Sequence, residues 1–491
     1  MNFFGKVDSF GKSLNRALEK RKGLILMLAM YAVLLVLTYI YRDSRMYGDA
    51  YGYLYLSDYF VKDGSFAFSN YFASYRSYLF SFILLPIRLF AEAVNVNDYN
   101  VFRIVFGLIF SSFFAVFLPH AIERVFKIKI NFLQRLLFLG FLLCIWAPTF
   151  MYSLSDMPAF MINIIGLYLI YRASEEKRIW LQILFMVLAG ICMGGTRLVR
   201  QVYQLGMLLA VLLIIVLNLK KGRRKNLLLL LPYIIGLAII FTPQLLVNIK
   251  NFDIYSPYTQ TQIDLGDRMF NRIKLGFYYS EAVVYIGAKD VIIRTMDPGR
   301  LEMISEAVKG PYAYFIGSPQ GSVLMNKMGT EDITSLDFYI QSVLKYPVDF
   351  IGLWATRLFA GLDLNFPRVY ITELKTAGWL YSLLNYTVMF LAAKMLIAAK
   401  WFKKEWLSKT LMIAIILIPV AAACTTVIEE RFMLPIHLVF YMMVAFNPDI
   451  KEYLSKNRKF NFGYLIIYIL FIILCFGLSA NLLAMGGFTV Q

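Results

Sequence analysis

The feature that most limits what this chain can fold into is a succession of apolar runs separated by short, unevenly charged loops. A helix needs about 20 mostly apolar residues to cross the hydrocarbon core of a bilayer. Runs of roughly that length begin with Gly23–Tyr41 and recur at about 101–119, 132–147, 158–172, 180–196, 201–219, 227–247, 379–398, 409–424, 432–446 and 462–482. No small-residue cleavage site follows the first run, which therefore reads as a membrane helix rather than a signal peptide. Lipid offers a backbone no hydrogen-bond partners, so each run has to be helical. The expectation is an all-α polytopic membrane protein with about eleven transmembrane helices.

The charges orient the bundle. The chain carries a net charge of +18, which in a soluble protein would suggest nucleic acid, but 59% of its residues are hydrophobic. Soluble domains are about 45–50% apolar. In a membrane chain, Lys and Arg are retained on cytoplasmic loops. Arg124, Lys127 and Lys129, the EEKR of 175–178, the KKGRRK of 220–225, Lys400, Lys403 and Lys404, and the basic residues of 451–459 all fall on one side when the runs alternate. That side is assigned to the cytoplasm together with the N-terminus, in a plasma (inner) membrane, and no nucleic-acid partner is expected. Residues 1–22 combine six basic residues with Phe3, Val7, Phe10, Leu14 and Ala17 at helical spacing, the pattern of an amphipathic helix on the inner surface.

Two shorter apolar stretches, Ser77–Val94 and Asp349–Leu364, carry Arg88 and Arg357 near their middles and read as helices in the outer interface. The less hydrophobic stretch 248–347 is punctuated at Ser256-Pro257, Asp297-Pro298-Gly299 and Gly317–Gly321, and reads as a lid over a membrane cavity. Four segments result: the cytoplasmic helix 1–22, a transmembrane module 23–247 with an outer loop 42–100, an extracytoplasmic loop 248–378, and the C-terminal transmembrane helices 379–491. Four cysteines without a CxxC pair, and only two histidines, give no basis for a disulfide framework or a zinc site. No cofactor is expected.

The informative charges stand on the outer side, against the basic bias. Asp43, Asp49 and Asp58 lie among six tyrosines in Tyr41–Phe60. A carboxylate at Asp49 would sit at headgroup depth, either as a general base toward an acceptor hydroxyl or as a solvated residue ending a helix. Asp156, in Ser155-Asp156-Met157-Pro158, fits an N-cap, alone or facing a cavity. Arg197 and Arg200 are three apart and would share a helical face, either for a phosphate or for lipid headgroups. Glu429, Glu430 and Arg431 form a possible ion cluster, and His437 reads as a buried polar contact. Tyr51, Tyr55, Glu429, Glu430, Arg431, His437 and Arg357 are the further candidates for substrate contacts.

Several of these stretches together resemble a known family. The Asp- and Tyr-bearing outer loop, the YLFSFILLPI segment after it, LSDMPAF, the glycine-rich LAGICMGGTRLVRQVYQ of 188–204, and EERFMLPIHL of 429–438 are similar to the GT-C superfamily of membrane glycosyltransferases. Protein O-mannosyltransferases and lipid A aminoarabinose transferases (family 39-like enzymes) belong to it. The resemblance implies a sugar donor on a polyprenyl phosphate, an extracytoplasmic acceptor, and an inverting displacement. By position it makes Asp49 the base and Asp156 the second-loop acid, and gives Arg197 a role toward the donor phosphate, with Arg200 beside it. The family's D-E pair is Asp49-Ala50 here, so a divalent metal is possible but not expected. Two rival readings are a lipid-linked saccharide flippase and a polymerase or ligase using a diphosphate-linked glycan. A flippase would want charges deep in the helices and often shows repeated halves, and neither is evident.

Overall fold

The computed structural model describes residues 3–73, 75–218, 223–259, 267–285, 312–330, 332–365, 369–371, 378–398, 406–447 and 462–489. The side chains of 3–18, 20, 223–228, 267–269, 284–285, 312–314, 371, 397–398 and 487–489 are not described. Within these limits the chain is all-α apart from a few short strands. Its helices are α1 (Phe3–Ile40), α2 (Gly48–Ser57), α3 (Tyr78–Ala93), α4 (Asp98–Phe126, with a π-helical stretch at Phe113–Phe117), α5 (Phe132–Trp146), α6 (Asp156–Glu175), α7 (Ile179–Val199), α8 (Gln204–Asn218) and α9 (Arg223–Phe252). They continue with α10 (Asp267–Tyr278), α11 (Pro319–Met328), α12 (Leu336–Lys345), α13 (Pro347–Leu362), α14 (Trp379–Ala398), α15 (Trp406–Ala423), α16 (Leu434–Ala445) and α17 (Phe462–Leu483).

Nine described helical segments are long and apolar enough to cross a membrane, and the chain is a multi-pass membrane protein. They correspond to nine of the eleven expected runs. The other two also form helices: α14 spans 20 residues, and α16 spans 12 with a 3-10 turn at Glu430–Met433 directly ahead of it. The helix over 3–40 breaks from helical geometry at Arg21, where the expected amphipathic segment meets the first span. The amphipathic face itself falls on side chains outside those described.

Local sequence explains several boundaries. Asn131 and Gln134 form a reciprocal capping box that starts α5. Asn97 accepts the Tyr99 N–H at the start of α4. The glycines of 188–204 are a packing seam: Gly190 of α7 faces Gly236 of α9, and a Cβ on either would collide with the other helix's backbone carbonyl. Two helices approach this closely only where side chains are absent.

One feature was not expected. Strands β3 (Tyr279–Tyr285), β4 (Tyr312–Gly317), β5 (Tyr370–Ile371) and β6 (Gly486–Thr489) form a sheet in the order β5-β3-β4-β6; earlier in the chain, β1 (Val61–Lys62) and β2 (Ser65–Phe66) make a small hairpin. β4 pairs antiparallel with both β3 and β6, so the residues after the last span are bound to the 248–378 segment instead of forming a loose tail. Within the described part of that segment lie α10 to α13 and strands β3 to β5, a folded cap on the bundle rather than a bare loop. β3 also bridges to Ile428, which ties this cap to the residues ahead of α16.

Candidate functional site

α1 ends at Ile40, and the turn that follows is held by a buried arginine. Arg103 of α4, wholly inaccessible, donates to the carbonyls of Tyr41 (2.6 Å), Ser44 (2.8 Å) and Met151 (3.1 Å). These carbonyls have no helical partners, and three charge-assisted bonds satisfy them at once. The turn is thereby fixed, and the chain re-enters a helix at Gly48, whose φ of +46° suits a residue without a Cβ. Asp49 therefore lies in the first turn of α2, where the helix dipole favours an anion.

Helical spacing then splits the tyrosines between two faces. Tyr51 and Tyr55 point to the exposed side of α2 and stack on each other with ring centroids 5.9 Å apart. Tyr53 shares the face of Asp49. Its ring lies 4.0 Å beneath the Arg76 guanidinium, and its hydroxyl donates to Ser155 Oγ (3.2 Å).

Around Asp49 three arginines and three carboxylates converge from five separate parts of the chain. Arg76 Nη2 lies 2.5 Å from Asp49 Oδ1, and Arg431 Nη2 lies 2.9 Å from Oδ2. Arg431 also holds Glu429 (2.6 Å) and lies 3.9 Å from Asp156. Arg200 closes the chain of charges through an ion pair with Asp156 and stacks over the Phe432 ring at 4.8 Å. Burial pushes the Asp49 carboxyl up, but the charges of Arg431 and Arg76 outweigh that and hold it well below the usual carboxylate range. Burial opposes the charge on Arg431, yet Glu429, Asp156 and Asp49 raise its pKa well above the ordinary value. The Asp49 side chain remains 42% exposed, so the network opens to solvent at that residue.

Of the expected residues, Asp49, Asp156, Arg200, Glu429 and Arg431 meet in this network. Arg197 does not share a setting with Arg200. α7 ends at Val199 and Arg200 is extended (φ −149°), which breaks the three-residue helical relation. Arg197 is instead buried with its guanidinium 4.2 Å over Tyr258. Ser155 precedes α6 but makes no side-chain capping bond, so Asp156 is held by Arg200 and not by a capping pattern.

Arg357 is corrected from an interfacial contact to a buried tie: it donates to the carbonyls of Cys424 (2.8 Å) and Gly276. His437 is also fully buried, between Asn385 Oδ1 (3.1 Å) and the Gly361 carbonyl (3.4 Å), out of reach of a ligand at Asp49. Glu430 is buried as well, within electrostatic reach of Glu281.

Two residues were not expected: Arg76 and Tyr53. Arg76 lies in the connection before α3, with no motif around it to mark it in the sequence. Tyr53 was legible, since it is four residues from Asp49, provided that 48–57 is read as a helix. Among the described residues, no group of three or more His, Cys, Asp and Glu side chains could hold a metal ion. Comparison with known proteins gives no match to a family model, to a curated protein or to a solved structure.

Proposed function

We propose that this chain is a membrane glycosyltransferase that moves a sugar from a polyprenyl-phosphate donor to an extracytoplasmic acceptor, a glycan, lipid or protein of the cell envelope. The observation that carries this reading is Asp49, a solvent-reachable carboxylate whose two oxygens are each held by a different guanidinium. Guanidiniums suit phosphate oxygens, and a carboxylate beside them suits an attacking hydroxyl. In the reaction, the acceptor oxygen attacks the anomeric carbon while Asp49 takes its proton. The bond from that carbon to the phosphate oxygen breaks, the configuration inverts, and the phosphate leaves with the electron pair. Developing charge on the phosphate is stabilised by Arg431, Arg76 and Arg200.

The same geometry carries a constraint. A carboxylate held by two guanidiniums is a weak base. An arriving phosphate competes for Arg76 and Arg431, loosens their hold on Asp49 and restores its basicity. Donor binding and base activation are thus one event, which protects the resting site from futile proton transfer. The network lies on the extracytoplasmic side in this reading, with the N-terminus in the cytoplasm of a plasma-membrane protein. Cysteines placed at Gly222 and Leu344, in a background without the four native ones, should label from opposite sides.

The deciding experiment is single-turnover transfer of labelled sugar from polyprenyl-phosphate donors in proteoliposomes. Wild type should transfer and Asp49→Asn should be slowed by about 10²–10⁴, the range for loss of a general base. Full activity in Asp49→Asn removes Asp49 as the base. Donor flipping without transfer would replace the enzyme reading with transport.

A further inference from the structure

The ion pair between Asp49 and Arg431 joins distant parts of the chain, and both partners hang on one sheet. On the Arg431 side, Ala282 N donates to Ile428 O (2.7 Å) and Ile428 N donates to Ser280 O (3.2 Å). β3 thus grips the chain just ahead of the arginine. On the Asp49 side, β5 lies parallel to β3, with Tyr370 opposite Val284. The Tyr370 hydroxyl donates to the carbonyl of Tyr47 (2.6 Å), the residue from which α2 starts.

That carbonyl already serves the helix. It accepts the amides of Ala50 (3.0 Å) and Tyr51 (3.3 Å), while the Tyr47 side chain caps nothing. A carbonyl oxygen has two lone pairs, so the bond from Tyr370 adds a second direction and orients the first turn, in which Asp49 stands. The Tyr370 ring is placed as firmly as its hydroxyl. It is buried, in a T-shaped contact with Tyr152 (centroids 4.8 Å apart) and tilted against Tyr47 (5.8 Å). Tyr47 leads into Asp49 and Tyr152 leads into Asp156, so one side chain packs against the approach to both acids. Burial pushes the Tyr370 pKa up, and the hydroxyl keeps the proton that it donates.

Other supports of α2 come from the bundle. Ser153 Oγ donates to the Ala50 carbonyl (2.6 Å), and the Tyr53 hydroxyl donates to Ser155 Oγ (3.2 Å). These tie α2 to the residues ahead of α6. Tyr370 ties it to the sheet that carries Arg431.

We propose that Tyr370 is a positioning residue that, through the Tyr47 carbonyl, holds Asp49 against Arg431 in the resting site. Without the hydroxyl, the first turn of α2 is free to draw away from the arginine. Asp49 then competes less well for the guanidinium, and a phosphate competes better. The gain for phosphate rests on the function proposed above, and the positioning does not.

The test compares full-length wild type, Tyr370→Phe, Asp49→Asn and the double variant in nanodiscs. Tyr370→Phe keeps the ring and its contacts with Tyr47 and Tyr152, so it should fold. Farnesyl phosphate binding is measured by calorimetry. Tyr370→Phe should bind it about two- to ten-fold tighter than wild type, the range for one hydrogen bond. Added to Asp49→Asn, the same substitution should change nothing, because the competing carboxylate is already gone.

Thermal unfolding from neutral to acid pH reads the positioning without any ligand. The charged groups around Asp49 are Arg76 and Arg431, with Glu429, Asp156 and Arg200 behind them. Burial pushes the Asp49 carboxyl up, but the arginines outweigh it, so its contribution is complete above the ordinary 3.8 and is lost as pH falls toward the lower folded value. Loosening the pair moves the folded value back toward the ordinary one and makes the acid slope shallower in Tyr370→Phe. A hydroxyl lost for structural reasons alone lowers the midpoint equally at every pH. Glu429 and Asp156 are present in all four proteins, so equal slopes in the two that carry Asp49→Asn assign the change to Asp49.

An unchanged acid slope in Tyr370→Phe, weaker farnesyl phosphate binding by that variant, or the same effect in both backgrounds overturns the proposal. If none of the four proteins binds farnesyl phosphate and the slope still changes, the positioning stands and the phosphate reading falls.

Discussion

The two ends of the helix bundle both carry networks of charge, and they are built differently. At the end where α1 enters and α4 leaves, Lys22 donates to the Ile130 carbonyl, Glu123 accepts the Ile130 N–H (2.8 Å) and Glu19 accepts the Phe132 N–H (2.8 Å). Arg135 joins them by pairing with Glu123 (3.1 Å) and donating to the Ala115 carbonyl (3.3 Å). These charges finish backbone groups that helices leave unsatisfied at their ends. At the other end, the described hydrogen bonds of the Asp49, Arg76, Asp156, Arg200, Glu429 and Arg431 side chains run only to one another. A charge that closes a helix end has no freedom to change partner. One that is balanced only by another side chain can exchange that partner for a ligand. Geometry of this second kind is what directs attention to Asp49.

The strongest way to break this contrast is to neutralise one carboxylate at each end. Asp49→Asn should slow single turnover by about 10²–10⁴ while donor affinity rises, because the phosphate no longer competes with a carboxylate for Arg76 and Arg431. Glu123→Gln should leave turnover per folded molecule at the wild-type level. If both slow transfer equally, the two ends are not functionally distinct.

Arg431→Ala sharpens the comparison because one residue balances Asp49, Glu429 and Asp156 together. Removing one partner of a buried pair costs about 3–5 kcal/mol, and donor affinity and turnover should fall with it. Chemical denaturation and donor titration on the same preparation separate the two losses. Wild-type donor affinity in a folded Arg431→Ala protein would remove this arginine from phosphate binding.

At the architectural end, Glu123→Gln should show its effect in stability alone, about 1–3 kcal/mol for a charged partner lost by Arg135 and by the Ile130 amide. An unchanged unfolding midpoint would mean that the network there is surface decoration.

The smallest effect expected is in the pH dependence of stability, where Asp49 and Glu281 pull in opposite directions. The folded pKa of Asp49 lies below its ordinary 3.8, so its contribution is complete above that pH and is lost as pH falls toward the folded value. The folded pKa of Glu281 lies above its ordinary 4.5, so its contribution is complete below that pH and is lost as pH rises through the folded value. Thermal unfolding followed from acid to neutral pH should lose the second slope in Glu281→Gln and keep it in Asp49→Asn. The same slope in all three proteins would show that Glu281 is not the group responsible.

The sequence alone determined the membrane class and the approximate position of nine spans, because hydropathy and capping act over a few neighbouring residues. Asn131 with Gln134 announces α5 without any knowledge of the rest of the chain. It also pointed to Asp49, since an acid among tyrosines just past a span is unusual wherever the helices pack. What only the tertiary structure decided is which charges meet. Asp49 and Arg431 are 382 residues apart, and Asp156 and Arg200 are 44 apart. No local periodicity encodes such pairs. Arg197 and Arg200 were separated by a helix end, Arg76 was brought in by the start of α3, and Glu281 was set beside Glu430 by a strand that pairs with Ile428. The physical reason is range. Hydrophobic patterning is read locally, one face at a time, whereas an ion pair depends on a distance of a few ångströms that is known only after every helix has packed.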